Sequence, residues 1–468
     1  MKKQNPIDII IVFIQVLLSI VLLFMIKKLL PLKYLAVIAL LLAILALIII
    51  LFLLVKQKAK WFNRILSIII SICLLLVNFT AYKGLDTLKE ITGSKEEIYT
   101  YSIIVLDDSE YQYIEDLDGL PVGKCSKVNQ SQYDEVIYNI NITTQIEEVD
   151  YDSVIEMQQA LFDGDVEAII LNEAYREAIE EVNETFSDDT RIIDSHDITT
   201  YVNIGSHTVN VTKDAFSLFI SGIDTYGPVS TVSRSDVNMI VTVNPKTKTI
   251  LLTSIPRDYY VTLATSGQKD KLTHAGIYGV NESVETLENL FDIDISYYAR
   301  VNFTSLTTMV DALGGITIYN PTEFRINGHA FAVGNINLTG EDALYYSRAR
   351  YQLSGGDRDR IQNQQRVLQG MLEKAMSPAI ISNYSSILEA ITGCFETNMT
   401  SDEIQSLIQM QLNDMSSWHF KTQVVDGTGT TSTTCYSMPG SELYVMEPDQ
   451  DTIDQARQSI NNILGING

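Results

Sequence analysis

The sequence contains little cysteine, is short of basic residues, and lacks several common catalytic motifs. Of the four cysteines, Cys73 lies in an apolar run, and the odd number that remains argues against a disulfide framework. There is no Gly-x-Ser-x-Gly motif, no paired Cys and His, no zinc-ligand spacing and no Gly-Lys-Ser/Thr phosphate loop. With 33 basic against 58 acidic residues, the chain is a poor partner for nucleic acid. A content of 46% apolar and 19% charged residues also excludes disordered and collagen-like chains.

Charge and hydropathy are segregated along the chain. Residues 1–83 hold ten Lys or Arg and a single acid, Asp8, which leaves 23 of the 33 basic and 57 of the 58 acidic residues for residues 84–468. Three uncharged apolar runs lie in the first part, at 9–26, 34–55 and 65–82. Each run is long enough to cross a hydrocarbon core, so the sequence predicts three transmembrane helices. A cleaved signal peptide is the alternative for the first run, but no small-residue cleavage site follows it.

The basic residues that flank these runs predict the orientation in the bilayer. Three spans place the two ends of the chain on opposite sides. Lys2 and Lys3 share one side with the basic segment 56–64, and Lys27, Lys28 and Lys33 lie on the other. Because basic residues favour the cytoplasm, we expect the amino terminus inside and residues 84–468 outside, in a multi-pass protein of the cell membrane.

The part outside the membrane divides near residue 210 into two α/β units. Residues 84–210, the accessory unit, alternate strand-like segments with helix-like ones such as "SVIEMQQALFDG", closed by Gly164. Short segments of this unit resemble one lobe of solute-binding proteins. A single lobe lacks the facing lobe that would close a ligand cleft, so the sequence favours a packing or interaction module over a ligand sensor. Residues 211–468, the main unit, contain a hairpin across Pro245 and Lys246 followed by alternating helices and strands. This pattern predicts a mixed sheet flanked by helices.

Two local signals place helices in the second half of the main unit. Thr339 and Asp342 have the spacing of a capping box, with Thr339 as the N-cap residue. Residues 360–375 have helical periodicity, and Asp357 and Asp359 precede them, where the helix dipole favours acids.

An arginine cluster interrupts the acidic composition of the main unit. No lysine lies between Leu338 and Leu372, whereas five arginines fall in this segment, namely Arg348, Arg350, Arg358, Arg360 and Arg366. A preference for the planar guanidinium predicts bidentate recognition of a phosphate or carboxylate. The alternative is ordinary ion pairing of Arg358 and Arg360 with the two aspartates at the helix start.

A second group of charges lies upstream, at predicted strand ends. Asp224 ends one strand, Arg234 and Asp236 begin the next, and Arg257 closes the hairpin. Mg²⁺ takes oxygen ligands and usually combines one or two carboxylates with substrate phosphate oxygens. Each aspartate alone fits a loop cap, but together with the arginines they predict a site for a metal-bound pyrophosphate. We expect His274 in "KLTHAG" to be a core or helix-start histidine rather than a base.

Several of these motifs together resemble a known family. The stretch from "SGIDTYG" through "SRSDVNMIVTVNPKTKTILLTSIPRDYYV", "DKLTHAGIYGV" and "RVNFTSLTTMVDALGGI" to "ALYYSRARYQLSGGDRDRIQNQQ" resembles the LytR–CpsA–Psr family. It is most similar to the streptococcal capsule-biosynthesis members, which also have three spans and an accessory domain ahead of the catalytic one.

The resemblance implies a phosphotransferase that moves a polyprenyl-pyrophosphate-linked glycopolymer onto peptidoglycan and releases polyprenyl phosphate. Capsular polysaccharide is the expected polymer, teichoic-acid-like polymers are the near alternative, and other capsule-assembly proteins are candidate partners. Asp224 and Asp236 match the family's magnesium-binding aspartates. Its pyrophosphate-binding residues match Arg257, Arg348, Arg350, Arg360 and Gln364, with Arg234 in the same motif. Among these, the expected catalytic residues are Arg257, Asp236 and Arg350.

Two other functions stay open at this point. A membrane-anchored regulator or scaffold of capsule assembly would bind the precursor without chemistry. Direct control of transcription is disfavoured, because the cytoplasmic segments 1–8 and 56–64 are too small for a DNA-binding domain. A pyrophosphatase would use the same residues with water as the acceptor, and only analysis of the products distinguishes it from a transferase. The residues do not identify a general base.

Overall fold

The chain begins with three long apolar helices, Pro6–Ile26 (α1), Leu32–Ile50 (α2) and Lys60–Ile91 (α3). The computed structural model describes residues 6–28, 30–51, 60–91, 96–127, 129–202, 209–223, 229–377 and 395–466. Stretches long and apolar enough to cross a membrane cover Pro6–Ile26, Leu32–Ile50 and Trp61–Asp86. These helices confirm the three predicted spans, although the last residues of the second predicted run, 52–55, lie outside the described part.

The accessory unit is built on a five-stranded mixed sheet in the order β3-β2-β4-β1-β5. Strand β1 pairs antiparallel with β4 and β5, whereas β2 pairs parallel with β3 and β4. The predicted helix α5 begins after Ser153, whose side chain accepts a hydrogen bond from the Glu156 N–H, and ends at Gly164, where φ is 76°. The elements are Glu96–Leu106 (β1), Pro121–Lys124 (β2), Gln130–Ile140 (α4), Glu147–Asp150 (β3), Val154–Asp163 (α5), Ala168–Asn172 (β4), Arg176–Glu180 (α6), Phe186–Asp189 (α7) and Thr190–Tyr201 (β5).

The main unit contains a six-stranded mixed sheet in the order β16-β11-β6-β7-β8-β17. Strands β6, β7 and β8 pair antiparallel, and β11 and β17 add in parallel to β6 and β8. The predicted hairpin joins β7 to β8, and the mixed sheet flanked by helices is confirmed. The strands are Phe216–Ile223 (β6), Ser235–Asn244 (β7), Thr249–Ile255 (β8), Tyr260–Thr262 (β9), Lys269–Lys271 (β10), Tyr297–Asn302 (β11), Ile316–Asn320 (β12), Phe324–Ile326 (β13), His329–Phe331 (β14), Gly334–Leu338 (β15), Phe395–Thr397 (β16), His419–Val424 (β17), Gly427–Ser432 (β18) and Leu443–Pro448 (β19).

Helices cover both faces of this sheet because its strands are apolar on both sides. On one face, Phe219 and Ile240 pack against α9 and α14. On the other, Met239 and Leu252 pack against α12, and α10 and α11 lie beside it. The helices are Leu272–Ala275 (α8), Val280–Phe291 (α9), Phe303–Ala312 (α10), Gly340–Arg348 (α11), Asp357–Ala375 (α12), Ser401–Asp414 (α13) and Gln450–Leu464 (α14).

The loop between α1 and α2 lies against α13 of the main unit. Lys28 Nζ is 3.5 Å from Asp402 Oδ1, and Gln409 Nε2 donates a hydrogen bond to the Lys27 carbonyl at 3.3 Å. The main unit therefore sits at the end of the three-helix bundle where α1 joins α2.

The accessory and main units share one hydrophobic core. Residues of the accessory sheet and helices pack in a single buried cluster with Tyr260, Ile277 and Val445 of the main unit. The backbones also join, because the Ile98 N–H donates to the Ser230 carbonyl and the Ile98 carbonyl accepts from the Val232 N–H, both at 2.9 Å. The shared core and the backbone hydrogen bonds fit a packing role for the accessory unit, which the sequence favoured over a ligand sensor.

A buried ion group crosses the same boundary. The Arg300 side chain, on β11, is 4% exposed and donates a hydrogen bond to Glu97 on β1, which is equally buried. A second carboxylate, Glu396 on β16, lies 3.6 Å from the Arg300 guanidinium. Glu97 also accepts from the Val280 N–H at 2.8 Å, so this accessory-unit carboxylate is an integral part of the main-unit interior.

Replacing Glu97 is expected to destabilise the accessory and main units together. Glu97→Ala leaves Arg300 buried with one fewer counter-charge, which should lower the free energy of unfolding by about 3–5 kcal/mol. Denaturant unfolding of the full chain in detergent measures this change, with the exposed neighbour Glu96→Ala as the control. Equal effects of the two substitutions would contradict the buried pairing.

Candidate active site

The register of the main sheet brings the upstream charges to one edge. Ile223 at the end of β6 lies opposite Ser235 at the start of β7, and Ile255 at the end of β8 lies opposite Asn238. Asp236 and Arg257 therefore meet at the edge where β6 ends, although they are far apart in the sequence.

Helices α11 and α12 bring the arginine cluster to the same place. The predicted capping box begins α11, since Thr339 accepts from the Asp342 N–H and Asp342 accepts from the Thr339 N–H. This helix ends at Arg348. Helix α12 begins at Asp357, three residues before its predicted start, so Arg360 and Gln364 are its fourth and eighth residues.

One cavity of about 680 Å³ collects these side chains. Its charged and amide lining includes Asp236, Arg257, Arg348, Arg350, Arg360 and Gln364. The rest of the wall is largely apolar and comes from the sheet face and from α10 and α12: Leu218, Ile220, Met239, Ala299, Val301, Leu306, Met309, Leu313, Val367, Leu368, Met371, Leu372, Ala375 and Phe395. The cavity is thus polar where the strand ends meet and apolar along the two helices.

Asp236 and Arg257 form the ion pair at the sheet edge. Arg257 Nη1 donates to Asp236 Oδ2 at 2.8 Å, and Thr273 Oγ1 donates to Asp236 Oδ1 at 3.1 Å. Gly276 permits the close approach of the Thr273 segment, because a Cβ there would lie 2.7 Å from the Ser233 carbonyl oxygen.

Arg360 of α12 and Arg350, in the segment between α11 and α12, lie beside a second carboxylate, Asp357. Arg360 Nη2 lies 2.6 Å from Asp357 Oδ1, and Arg350 Nε lies 3.7 Å from the same oxygen. The Arg348 guanidinium lies over the Phe303 ring, 4.5 Å from its centroid, which holds the charge toward the cavity by a cation–π contact.

The pKa values of the two buried guanidiniums, Arg257 and Arg360, are shifted in opposite directions. Burial lowers the pKa of Arg360 below its ordinary value, and the positive charges of Arg257 and Arg350 add to this effect against Asp357. Burial also opposes the charge of Arg257, but the carboxylates of Asp236, Asp258 and Asp357 raise its pKa above the ordinary value. Additional negative charge in the cavity would therefore relieve repulsion around Arg360.

Two donors in the cavity wall lack a hydrogen-bond partner among the described residues. They are the buried Nε–H groups of Arg257 and Arg360. An unsatisfied buried N–H is unfavourable, so each of these groups is a local cost of packing the charged side chains together. The four guanidiniums of the cavity wall come from separate parts of the chain, and this arrangement suits a pyrophosphate better than a single carboxylate.

The structure does not bring every predicted residue to the cavity. Arg234 is absent from the described lining, and its Nη2 lies 2.8 Å from Glu177 Oε2 in the accessory unit, with a further bond to Glu181. Asp224 lies outside the described residues. Arg358 pairs with Asp426 at 3.1 Å rather than with its neighbouring aspartates.

A magnesium site is compatible with this donor set. Within the described ranges there is no group of three or more His, Cys, Asp or Glu arranged to hold a metal ion. Mg²⁺ needs fewer protein ligands than that when phosphate oxygens and water complete its shell, and the Asp236 carboxylate lines the cavity beside the guanidiniums. The magnesium assignment stays a prediction.

Sequence reasoning missed two residues that shape the site, Thr273 and Phe303. Neither had a distinguishing pattern, although Thr273 lies one residue before His274. That histidine is a core residue, as expected: it is fully buried, and its Nδ1 lies 2.7 Å from Asp270 Oδ1 and 2.8 Å from Ser437 Oγ.

Comparison with known proteins identifies the family of this chain. The LytR_cpsA_psr family profile matches residues 176–456, which is more than half of the chain. The chain belongs to the LytR_cpsA_psr family. The matched region begins at the first residue of α6 and includes all the cavity residues named above.

Curated relatives of this family member carry transferase names. The polyisoprenyl-teichoic acid–peptidoglycan teichoic acid transferase TagU of Enterococcus faecalis is 38% identical over 198 residues, and that of Bacillus anthracis is 39% identical over 202. These matches cover 42% and 43% of this chain and 65% of each relative, so the chain spans just under two thirds of their length.

Solved structures of the family are also similar to this chain. Bacillus subtilis TagV is 30% identical with a TM-score of 0.47, covering 55% of this chain and 99% of its own. Bacillus subtilis TagU is 30% identical with a TM-score of 0.42, covering 54% and 97%.

Inorganic pyrophosphate is expected to bind in the cavity and stabilise the fold. At one hundred times its dissociation constant it should raise the free energy of unfolding by about 2.7 kcal/mol, measured by thermal unfolding at constant ionic strength. Arg360→Lys keeps the charge but loses the planar fork and should reduce this shift. Arg366→Lys is the control, because Arg366 bonds to Asn363 on its own helix. Equal shifts in both variants would place the anion elsewhere.

Proposed function

We propose that this family member is an extracytoplasmic phosphotransferase that attaches a polyprenyl-pyrophosphate-linked glycopolymer to peptidoglycan through a phosphodiester. The observation that carries the proposal is the composition of the cavity described above. Four guanidiniums and a carboxylate line its polar part, and aliphatic side chains line the rest. A ligand with a diphosphate joined to a hydrocarbon chain is complementary to both parts at once.

The apolar wall accounts for the lipid half of the donor. Side chains of α10, α12 and the sheet face would enclose the first isoprenoid units, while Arg257 and Arg360 would hold the diphosphate. Phe395, which lines the cavity, belongs to the edge strand β16, and this strand contacts α3. This edge of the cavity therefore lies beside a membrane helix, as a donor anchored in the bilayer requires.

The reaction consists of one displacement at phosphorus. A peptidoglycan hydroxyl oxygen attacks the phosphorus that bears the sugar, and a new phosphorus–oxygen bond forms. The bond from that phosphorus to the bridging oxygen breaks, its electron pair stays on the bridging oxygen, and polyprenyl phosphate leaves. The hydroxyl proton passes to a base or to water. Arg257, Arg348, Arg350 and Arg360 would stabilise negative charge that grows on the leaving oxygen.

The aspartates complete the charge balance. Asp236, together with Asp224, would hold Mg²⁺, which when bound supplies positive charge to the diphosphate oxygens. Asp236 also orients Arg257 through the 2.8 Å hydrogen bond, so the same carboxylate would position a guanidinium and bind the ion. Arg234, which pairs with accessory-unit glutamates, would act on the substrate only indirectly.

Two polymer classes are compatible with this site. Capsular polysaccharide is the class we propose, because three spans and an accessory unit accompany the family domain. Teichoic acid is the second candidate, and the names of relatives 38–39% identical favour it. Both polymers are carried on a lipid diphosphate, so the cavity chemistry is the same for both.

The contacts of the membrane part support an outer location for the site. The loop that contains Lys27 and Lys28 contacts α13, so the main unit shares a side with this less basic loop. The amino terminus and the basic segment 56–64 would then face the cytoplasm, in agreement with the preference of basic residues for that side.

Product analysis tests the proposal against its two rivals. The full chain in detergent is incubated with a lipid-diphosphate oligosaccharide, peptidoglycan fragments and Mg²⁺, and the products are analysed by mass spectrometry. A phosphodiester-linked conjugate together with polyprenyl phosphate supports transfer. Free sugar phosphate without conjugate would indicate a pyrophosphatase, and unchanged donor would indicate a scaffold.

Arg350→Lys is expected to lower turnover at least about 10-fold, because the charge remains but two-point contact with phosphate is lost. The assay is conjugate formation under saturating donor, with folding checked by thermal unfolding. Arg358→Lys is the matched control, since Arg358 is mostly exposed and pairs with Asp426. Unchanged turnover in Arg350→Lys would indicate that Arg350 forms only a surface ion pair and does not contact the diphosphate.

Asp236→Ala is expected to weaken the response to magnesium. Loss of a direct ligand should raise the Mg²⁺ concentration for half-maximal turnover at least as much as loss of an outer-shell partner does, about 10- to 100-fold. The measurement is a magnesium titration of conjugate formation, with Asp454→Ala on α14 as the control. An unchanged titration would refute the metal role of Asp236.

A further inference from the structure

A continuous series of ion pairs runs from the accessory unit to the cavity. Glu181, which follows α6, lies with its Oε2 3.0 Å from Lys271 Nζ. Lys271 Nζ is in turn 2.9 Å from Asp258 Oδ1, and Asp258 Oδ2 is 3.8 Å from Arg257 Nε. Arg257 then bonds to Asp236.

The first link of this series has two branches. The other carboxylate oxygen of Glu181 accepts a hydrogen bond from Arg234, two residues before Asp236. Glu181 therefore contacts two cations, Lys271 and Arg234, and each is close in the chain or in space to the Asp236–Arg257 pair. Its pKa is lowered to about 2, because Lys271, Arg234 and His274 favour the carboxylate more strongly than burial opposes it.

Lys271, in the middle of the series, is buried and tightly held. The Lys271 side chain is only 4% exposed, and it lies between two carboxylates, so its ammonium group has little freedom to move. The backbone adds to this restraint, since the Thr273 N–H donates to the Arg257 carbonyl and the Leu272 N–H donates to the Tyr259 carbonyl, both at 2.8 Å. The same backbone segment carries Thr273, whose hydroxyl bonds to Asp236.

We propose that Glu181 of the accessory unit is a positioning residue for the cavity: by binding Lys271 and Arg234 it sets the orientation of Arg257 and Asp236. The inference rests on the proposed function for its catalytic meaning, but the geometry of the anion site is enough to test it. It gives the accessory unit a definite role, which is to supply Lys271 with a second carboxylate beside Asp258 of the main unit.

The physical reason is the low polarity around Lys271. A buried ammonium group with a single carboxylate partner draws that partner closer or moves toward water. When Glu181 is made neutral, Lys271 is expected to interact more strongly with Asp258, which then turns away from Arg257. Arg257 would lose orientation, and displacements of about 1 Å at a catalytic group lower rates by as much as about 100-fold.

The test uses the full chain in detergent with Glu181→Gln and its matched control Glu180→Gln. Glu180 belongs to α6 and bonds to Ser187 inside the accessory unit, so the control makes the same change of charge away from the series. Two quantities are measured. One is the dissociation constant of inorganic pyrophosphate, and the other is kcat for conjugate formation, calculated from the concentration of folded protein. We expect Glu181→Gln to weaken pyrophosphate binding and to lower kcat by about 10- to 100-fold, with Glu180→Gln unchanged.

A double-substitution cycle with Lys271→Met separates positioning from general destabilisation. If Glu181 acts through Lys271, the double variant binds pyrophosphate no more weakly than the poorer single variant. Effects that multiply independently, or a Glu181→Gln variant equal to Glu180→Gln, would overturn the proposal. Glu181→Asp, which keeps the charge but shortens its reach, serves if the amide variant does not fold. Altered pyrophosphate binding without any conjugate from the unmodified chain would retain the positioning role and refute the transferase.

Discussion

The pairing of buried guanidinium groups with carboxylates at one edge of the central sheet is the interaction on which the rest of the site depends. Asp236 and Asp357 hold Arg257 and Arg360 in place, and burial makes these charges interact strongly. Four guanidiniums line the cavity against one carboxylate, so its wall carries an excess of positive charge that favours a further anion.

The accessory unit belongs to the same physical system. Its strands share a hydrophobic core with the hairpin of β18 and β19, and Glu97 and Glu181 place two carboxylates against main-unit cations. Removing such a unit would expose apolar surface and leave Arg300 and Lys271 short of counter-charge. The described contacts of the accessory unit are thus with the main unit, as expected of a packing module.

Much of the local structure could be predicted because it depends on neighbouring residues. The spans follow from run length, the capping box of Thr339 from its spacing, and the end of α5 from Gly164. The start of α12 was predicted three residues late, since the periodic apolar positions begin only at Ile361 while the helix itself begins at Asp357. Short strands such as β13 and β14 gave no periodic signal of their own.

The sequence by itself determined the membrane anchor, the mixed α/β character and the kinds of charge available, because these depend on composition and on spacing of a few residues. The partners of those charges were decided by the tertiary structure. Arg234 and Arg257 looked alike in sequence, yet one pairs with the accessory unit and the other lines the cavity. The difference arises because strand register and the position of α6 beside the residue before β7 determine which carboxylate each guanidinium meets, and neither is encoded within a short stretch of chain.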